Sequence, residues 1–514
     1  MEEIIFAGVI SMTDIIAIEK GIRMFVLIST PIGRTENGYW IDYFPSRWSY
    51  SARPYRQHSY YPYNLAYLSA YMKQETHHAV KIIDPQYLGM EEDEYISTIM
   101  RFNPDVWVVE VDAIIAKRQE FIICELRNQG FNGKILLCGP HPTGSPEEVL
   151  SWGVDFVAIS EFEQSIVDLA KVNFIESVNI KGIFPNRENN VVDLLKLPFP
   201  EDSDIKRRNY CRLPGLRYRQ VEMYATRGCP FSCDFCVTTG LYYCDHKQRV
   251  RGYDSIINEI RYMSETIQGF EGVFFNDDTH AINTKFIRGL CKKLIKSGLN
   301  RYHYSCLTTY SSLNMDVLTL MKQAGYYYLQ IGIESIVHAH IERANQTYLQ
   351  KIDNQKLISV LESARKLNFY LSGTMVFGAM GSTYESDMAT LDEVERLYAE
   401  GLIGEISVSV AVPFIGTRFY KECAEKGYLS KDIKYDGKTD CPVSYPWYSS
   451  DKIRLVFDRA NELSASFFKK NQNKGIHFSS WDKEWCAPVF ALNDRKPGEM
   501  VDWTIPSAKG GNQA

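Results

Sequence analysis

Three cysteines lie close together in the middle of the chain, with the spacing of ligands to one metal centre. Cys229, Cys233 and Cys236 form a C-x3-C-x2-C pattern within TRGCPFSCDFCVT at 226–238. Structural zinc usually takes four protein ligands in two separated pairs, and the nearest fourth thiol, Cys244, has a different spacing. A four-iron, four-sulfur cube held by three cysteines leaves one iron open to an exogenous ligand. The spacing therefore favours a catalytic [4Fe-4S] cluster over a structural zinc site.

Two adjacent carboxylates follow this motif at the end of a predicted strand. The segment GVFFNDDTHAIN at 272–283 predicts a strand that ends in Asp277 and Asp278. Paired carboxylates in this position can accept hydrogen bonds from the ammonium group of a ligand. A helix N-cap is the alternative, purely structural role for Asp278.

Strand and helix patterns alternate through the first part of the chain. Short apolar runs predict strands at 24–30, 80–84, 106–111, 134–140 and 156–160, with helical patterns between them. This alternation predicts a doubly wound parallel sheet whose ligands lie beyond the carboxyl ends of the strands. The plainer alternative is a Rossmann-like domain whose loops only turn corners. The sequence contains neither a GxGxxG fingerprint nor a Walker A loop, so nucleotide cofactors of those types are disfavoured.

After the cysteine motif, the chain repeats a strand-then-helix pattern five times. Strands are predicted within 272–283, 302–313, 320–335, 373–387 and 406–420. Repeats of this kind form a parallel barrel or part-barrel with its chemistry at the carboxyl ends of the strands.

The cysteine motif, with Phe235 before its third cysteine, resembles the signature of the radical S-adenosylmethionine (radical SAM) superfamily. The Phe-x-Asp-Asp element, the strand ending in Gly-Ile-Glu-Ser and the Pro413–Thr417 segment strengthen the match. The resemblance implies a [4Fe-4S] cluster whose open iron binds S-adenosylmethionine and cleaves it reductively. It implies S-adenosylmethionine contacts from Phe235, Asp277, Asp278, Glu334 and Ser335. One departure is Thr308–Tyr310, where the subgroup often carries an arginine.

The N-terminal part resembles the cobalamin-binding subgroup of this superfamily. The match rests on YPYNLAYLSAYM, CGPHPTGSPEEVL, VDFVAISEFEQSIVDLA and an LPxP linker, although Ser160 replaces the usual glycine of Gly-Glu-x-Glu. The motif Asp-x-His-x-x-Gly, which supplies an axial imidazole in many cobalamin enzymes, is absent. We therefore expect base-off cobalamin with no histidine bound to cobalt, and the aromatic segment 39–61 is a candidate cover for one face. The implied cobalamin contacts are Thr30, Pro31, Gly33, Asp112, Gly139, Pro140, His141 and Glu161.

These patterns predict an α/β protein with a Rossmann-like parallel sheet, a radical SAM (β/α)6-type partial TIM barrel and a small helical C-terminal region. The predicted boundaries are an N-terminal extension at 1–23, a cobalamin-binding domain at 24–170, a linker at 171–217, a core barrel at 218–430 and a C-terminal cap at 431–514. The first strand pattern begins only at Met24, so residues 1–23 are either an extra helix or follow an upstream start codon.

Composition excludes several other classes of protein. The 514 residues carry a formal net charge of −6, which disfavours a nucleic-acid partner. The sequence contains no stretch of about 18 uninterrupted apolar residues, which disfavours a transmembrane helix. The acidic N-terminus differs from a secretory signal and predicts a cytoplasmic location, where clustered cysteines are more often metal ligands than disulfides.

The leading functional expectation is a cobalamin-dependent C-methyltransferase that acts on an unactivated centre. The enzymatic alternative is a radical SAM oxidative cyclase or rearrangement enzyme, with or without cobalamin, that forms or contracts a ring. A cluster-bearing sensing module is the non-enzymatic alternative. A methylthiotransferase is disfavoured, because residues 1–210 hold only Cys124 and Cys138 and so lack a second cysteine triad. Expected partners are a small-molecule substrate of large, hydrophobic type and a low-potential electron donor of flavodoxin or ferredoxin type.

The cysteine motif is tested by the substitution Cys233→Ala. We expect the variant to lose iron loading and S-adenosylmethionine cleavage, because two thiolates do not hold the cube. Iron content and 5′-deoxyadenosine formation measure the two losses. Full reductive cleavage by the variant would rule out the assignment.

Overall fold

The computed structural model describes most of the chain between residues 24 and 473. The described ranges are 24–35, 38–43, 51–53, 60–174, 180–210, 218–243, 246–336, 354–431, 433–435 and 441–473. The predicted N-terminal extension, Cys244, parts of the aromatic segment and the tail from 474 onward lie outside them.

The first sheet is parallel and five-stranded, with the order β4-β1-β5-β6-β7. Its strands are β1 (Phe25–Ser29), β4 (Ala79–Ile83), β5 (Val106–Glu110), β6 (Lys134–Cys138) and β7 (Phe156–Val157). A separate antiparallel pair joins β2 (Trp40–Asp42) to β3 (Ser51–Arg53). The helices of this part are α1 (Tyr63–Glu75), α2 (Glu92–Phe102), α3 (Ala116–Asn128), α4 (Pro140–Gly144), α5 (Pro146–Leu150) and α6 (Glu163–Lys171). The predicted doubly wound sheet is confirmed.

The central strands of this sheet are apolar up to their last residue and almost fully buried. All five residues of β5, VWVVE, are buried, as are four of the five residues of β1, FVLIS. Such runs form strands that are covered by helices on both faces. β4, which follows β1 in this sheet along the chain, pairs on one side of β1, and β5 pairs on the other side. The crevice beyond the carboxyl ends of β1 and β5 is therefore a topological switch point.

The second sheet contains six parallel strands in the order β15-β14-β13-β12-β11-β8. They are β8 (Gln220–Met223), β11 (Gly272–Phe275), β12 (His303–Thr309), β13 (Tyr326–Glu334), β14 (Tyr370–Phe377) and β15 (Glu405–Val410). The connecting helices are α7 (Tyr253–Thr266), α8 (Thr284–Lys296), α9 (Met315–Gln323), α10 (Asn354–Lys366), α11 (Tyr384–Ala399) and α12 (Arg418–Glu425). This confirms the predicted partial barrel. A final helix, α13 (Ser450–Asn473), packs against β15 and α11.

A short antiparallel ribbon interrupts the barrel after β8. It pairs β9 (Thr226–Arg227) with β10 (Arg249–Val250), so that Arg227 lies opposite Arg249. The cysteine motif lies in the excursion between these two strands. The predicted domain boundaries stay a prediction, and in the structure α6 ends at Lys171 and β8 begins at Gln220.

The two sheets meet with the carboxyl ends of their strands toward each other. Gly144, in α4 after β6, approaches the segment after β15 so closely that an added Cβ would lie 2.1 Å from the carbonyl oxygen of Ile415. Gly416 has φ of +93°, and its own Cβ would lie 2.8 Å from the Cα of Gly144. Glycine is required on both sides of this backbone-to-backbone contact.

This contact is tested by Gly144→Ala. We expect a loss of about 1–3 kcal/mol of stability, because the methyl group overpacks the seam and forces the backbones apart. Thermal unfolding measures the loss. The matched control is Gly240→Ala at the same seam, where the nearest atom to a new Cβ is Thr417 Cγ2 at 3.7 Å. Equal effects of the two substitutions would contradict the prediction.

Candidate functional site

The cluster loop, residues 228–243, carries the three cysteines between the ribbon strands. Cys229, Cys233 and Cys236 are half-buried and form no disulfide. The amide of Cys236 donates to the carbonyl of Cys233 at 3.2 Å, and the amide of Gly240 donates to that of Cys236 at 3.0 Å. Burial raises the pKa of the Cys236 thiol. A positively charged centre would therefore be needed to hold it as a thiolate.

The thiols suit a cube better than a single ion. Among the described residues, no group of three or more His, Cys, Asp or Glu side chains is placed to share one metal ion. A cube has no such requirement, because each of its cysteines binds a different iron atom. Three thiols within eight residues, none of them in a disulfide, are the donor set that iron-sulfur chemistry uses.

Asp277 and Asp278 hold the backbone that leads into the cluster loop. Asp277 Oδ1 accepts hydrogen bonds from the amides of Ala225 at 2.8 Å and Thr226 at 3.0 Å. Asp278 Oδ2 accepts one from the amide of Gly228 at 2.7 Å. Contact of either carboxylate with a ligand ammonium group stays a prediction. The predicted alternative for Asp278 is wrong, because the next helix, α8, is capped by Asn283, whose side chain accepts from Phe286 N.

A buried histidine orients Asp277 from its other side. His280 Nδ1 lies 2.6 Å from Asp277 Oδ2, and its Nε2 lies 2.7 Å from the hydroxyl of Tyr326. The ring of Phe275 stacks on His280 with centroids 4.4 Å apart. This chain of contacts was not predicted, although Asp277 and His280 lie only three residues apart in the sequence.

Glu161, which follows β7 of the first sheet, binds the ribbon strands on either side of the cluster loop. Its Oε1 accepts from Arg227 Nη1 at 2.7 Å and its Oε2 from Arg249 Nη2 at 2.5 Å, so both oxygens serve ribbon arginines. Glu163 Oε1 also lies 2.7 Å from Arg227 Nη1. Contact of Glu161 with cobalamin stays a prediction, and the ionic role was not predicted. Ser160, which replaces the expected glycine, has φ of +59°, a conformation that glycine adopts without strain.

Glu110 is a second buried carboxyl that joins the two sheets. It ends β5 and accepts hydrogen bonds from the hydroxyls of Tyr43 at 2.5 Å and Tyr242 at 3.1 Å. Tyr242 belongs to the cluster loop, and Tyr43 to the aromatic segment. Burial raises the pKa of Glu110 to about 7. The sequence analysis did not single out Glu110, because one glutamate at the end of an apolar strand has no distinctive pattern.

Glu334 ends β13 in the left-handed region, with φ of +60°. An added Cβ at Gly332 would lie 3.0 Å from Glu334 Oε1, so this glycine leaves room for the carboxyl. Burial raises the pKa of Glu334 to about 7. A non-glycine residue with positive φ at a strand end is typical of strain kept at a functional site.

The remaining predicted S-adenosylmethionine residues lie nearby with different orientations. Phe235 is half-buried against the apolar core of the barrel. Ser335 is buried, and its hydroxyl lies 3.2 Å from that of Thr390 on α11. Thr308, in the segment that lacks the family arginine, is buried and accepts a hydrogen bond from the amide of Ala281. Ligand contacts of Phe235 and Ser335 stay predictions.

The barrel interior is open toward the carboxyl ends of the strands, where polar side chains line much of it. Alternate residues such as Ile331 and Val410 pack outward into the core, so their neighbours face inward. The inward residues are half-buried or exposed and include Thr309, Gln330, Thr374, Ser407 and Ser409. The opposite end is closed by Phe274 and Tyr328, with Tyr370 stacked on Tyr328 at 5.8 Å. A ligand therefore has access from the end that faces the first sheet.

The predicted cobalamin residues surround the carboxyl edge of the first sheet. Thr30 Oγ1 donates to Asp84 Oδ1 at 2.8 Å, and an added Cβ at Gly33 would lie 2.6 Å from Ile115. Gly139 has φ of +109° and packs against the backbone of Val111. Pro31 is buried after β1, and Pro140 opens α4.

Two of these predicted residues have buried polar groups that bear on a ligand. Among the described residues, no side chain donates a hydrogen bond to the carboxyl of Asp112. Burial raises the pKa of this carboxyl to about 7, although the nearby backbone amides of Ala113 and Ile114 act to lower it. His141 stacks on Trp152 with centroids 5.6 Å apart, and its Nε2 lies 3.6 Å from Glu148 Oε1. Buried polar groups such as Asp112 are usually satisfied by water or a ligand.

Together these features define a class of enzyme: a partial parallel barrel with a three-cysteine loop at its mouth, covered by a Rossmann-like sheet. Residues 223–394 match the model of the Radical SAM superfamily. Residues 223–394 thus form a radical SAM domain, as predicted.

Similar proteins support the whole architecture. The chain is 25% identical over 78% of its length to an uncharacterized methyltransferase of Pyrococcus horikoshii, covering 86% of that protein. The radical SAM methyltransferase TsrM of Kitasatospora setae, solved with cobalamin and a [4Fe-4S] cluster, superposes with a TM-score of 0.58 at 16% identity, covering 78% of each chain. The cobalamin-dependent radical enzyme OxsB, solved with aqua-cobalamin and S-adenosylmethionine, superposes with a TM-score of 0.64 at 15% identity, covering 91% of this chain and 70% of OxsB. The fold is therefore that of the predicted cobalamin-binding subgroup. Among the described residues, no helix is long and apolar enough to cross a bilayer.

The pKa of Glu334 predicts a pH-dependent stability. The pKa of Glu334 is about 7 in the folded protein, above its ordinary value of 4.5, so folding favours the neutral carboxyl. The stability that this group contributes is therefore complete below pH 4.5 and is lost as the pH rises through 7. We expect Glu334→Gln, which stays neutral, to unfold at a higher temperature than wild type above pH 7 and to lose this advantage toward pH 4.5. Thermal unfolding across this range is the measurement, and Glu385→Gln, at an exposed position, is the control. A pH-independent difference between Glu334→Gln and wild type would contradict the prediction.

Proposed function

We propose that this protein is a cobalamin-dependent radical SAM methyltransferase that acts on an unactivated carbon or phosphorus centre. One observation carries the proposal: the carboxyl edges of both sheets face the same space, and the cluster loop lies between them. Glu110 and Glu161 reach the loop from the first sheet, and Asp277 and Asp278 reach its approach from the barrel. Two cofactors on opposite edges would then face one substrate.

Cys229, Cys233 and Cys236 would hold the [4Fe-4S] cluster. When bound, the cluster supplies the electron that cleaves S-adenosylmethionine, and cobalamin supplies a transferable methyl group. Phe235, Asp278 and Glu334 surround the approach from the barrel mouth, where a carboxylate would accept hydrogen bonds from the ammonium group of S-adenosylmethionine. Asp277, whose oxygens hold backbone amides and His280, would orient the loop.

The edge of the first sheet suits a large polar ligand such as cobalamin. Asp112 is buried there with no side-chain donor among the described residues, and a corrinoid amide could supply one. His141, which is buried and stacked on Trp152 with its Nε2 3.6 Å from Glu148 Oε1, would line the cofactor site at this edge.

The barrel interior would bind the substrate. Its inward hydroxyls, on Thr309, Thr374, Ser407 and Ser409, can hydrogen-bond polar atoms of a substrate without adding charge. The closed aromatic end would keep water from entering the interior from the far side of the barrel. A large, hydrophobic substrate, a flavodoxin- or ferredoxin-type electron donor and a cytoplasmic location belong to this proposal.

Cofactor stoichiometry tests the proposal. The chain is reconstituted anaerobically with iron, sulfide and hydroxocobalamin, and corrinoid per chain is measured by absorbance and mass spectrometry. We expect one corrinoid with a base-off spectrum. The variant in which all three motif cysteines become alanine is the control, and it should lose iron but keep the corrinoid, because the two sites lie on different sheets.

The products of S-adenosylmethionine then distinguish methyl transfer from cyclisation. Methyl transfer through cobalamin consumes two molecules and yields both S-adenosylhomocysteine and 5′-deoxyadenosine. A loaded cluster that binds no corrinoid and yields 5′-deoxyadenosine alone would overturn methyl transfer and leave the cyclase or rearrangement alternative.

A further inference from the structure

The entrance of the cluster loop is held by charges from the N-terminal sheet. Arg227, two residues before the first cysteine, and Arg249, its partner across the ribbon, both bind Glu161. Glu163 adds a second carboxylate to Arg227 at 2.7 Å. The side chains of Arg227, Glu161 and Glu163 are only 2–3% exposed. The ion pairs at the start of the cluster loop are therefore buried, and solvent screens them little.

The far end of the loop is held from the same sheet. Tyr242, six residues after the third cysteine, donates its hydroxyl to Glu110 Oε1 at 3.1 Å. Tyr43 donates to the other oxygen of Glu110 at 2.5 Å, so this carboxyl is held in one orientation. Glu110 ends β5 and Glu161 follows β7, so both clamps arise from one edge of one sheet.

The physics of buried ion pairs gives these contacts an orienting role. A buried pair adds little net stability, because desolvation offsets the attraction, but removing one partner leaves an uncompensated charge. The planar guanidinium fixes direction as well as distance. Arg227 is further fixed by the ring of Tyr67, whose centroid lies 5.1 Å from the guanidinium carbon. From the barrel, Asp277 and Asp278 hold the backbone before the first cysteine, and Arg418 and Phe419 of α12 bind the carbonyls of Ser232 and Asp234 inside the loop. The contacts of the Arg227 guanidinium and the Tyr242 hydroxyl are left to the first sheet.

We propose that Glu161, Glu163 and Glu110 of the N-terminal domain are positioning residues that set the orientation of the cluster loop. This inference rests on the proposed function, in which the loop holds the cluster. It makes the N-terminal domain a structural part of the cluster site, so a change at its carboxyl edge alters the environment of the iron. None of the three glutamates needs to touch the cluster or the substrate to do so.

The test uses Glu163→Gln and Tyr242→Phe in the full chain, reconstituted with iron and sulfide but without cobalamin. The first variant weakens the entrance clamp, and the second removes a single hydroxyl from the far end while it keeps the aromatic packing. We expect both variants to shift the electron paramagnetic resonance g values and the midpoint potential of the reduced cluster. We also expect iron loss to a chelator to increase about tenfold, the usual effect of changing groups behind metal ligands.

Two matched controls separate positioning from general stability. Glu201 is a buried glutamate that pairs with Lys73 at 2.6 Å, and Tyr71 donates its hydroxyl to Gln164 at 2.8 Å, with neither contact on the cluster loop. Glu201→Gln and Tyr71→Phe should keep the wild-type spectrum and potential. Equal changes in the controls, or unchanged spectra in both test variants, would overturn the inference while the proposed function stands. A wild-type chain that takes up no cluster would overturn both.

Discussion

The structure depends on one constraint: the cluster loop has to present three thiols in a fixed arrangement. Thr238–Tyr242 of this loop is helical, and carboxylates from outside hold the two ends of the loop. Asp277 and Asp278 bind amides on its approach, and Glu161 and Glu163 bind the arginine beside its first cysteine. Carboxylates suit this task, because they accept several hydrogen bonds and pair with guanidinium in a defined geometry.

Parallel sheets make this arrangement possible. In both sheets the polar residues follow the carboxyl ends of apolar strands, and the close contact of Gly144 with Ile415 brings the two edges together. Burial at these edges raises the pKa of Glu110, Asp112 and Glu334 to about 7 in each case. The desolvation that raises these values also strengthens every charge interaction in the space between the sheets.

Much of the fold and the chemical centre of the site follow from local patterns. The C-x3-C-x2-C spacing identified the cluster loop, and the alternation of apolar runs with helical patterns predicted both parallel sheets. The glycine expected at position 160 corresponds to a backbone conformation that Ser160 also adopts, with φ of +59°. Roles that depend on distant partners were not predictable in this way. The contacts of Asp277 with two backbone amides and His280 were not predicted, and its contact with a ligand stays a prediction.

By itself, the sequence determined which runs form strands and predicted which cysteines carry the metal chemistry, because spacing and periodicity are local properties of the chain. Tertiary structure alone decided which carboxylate binds which arginine or tyrosine. Glu161 and Arg227 are 66 residues apart, and Glu110 and Tyr242 are 132 apart. Each pair meets only because two sheets pack edge to edge, and the low dielectric there gives an ion pair or hydrogen bond its direction and strength. No periodic pattern in a single chain encodes such a meeting.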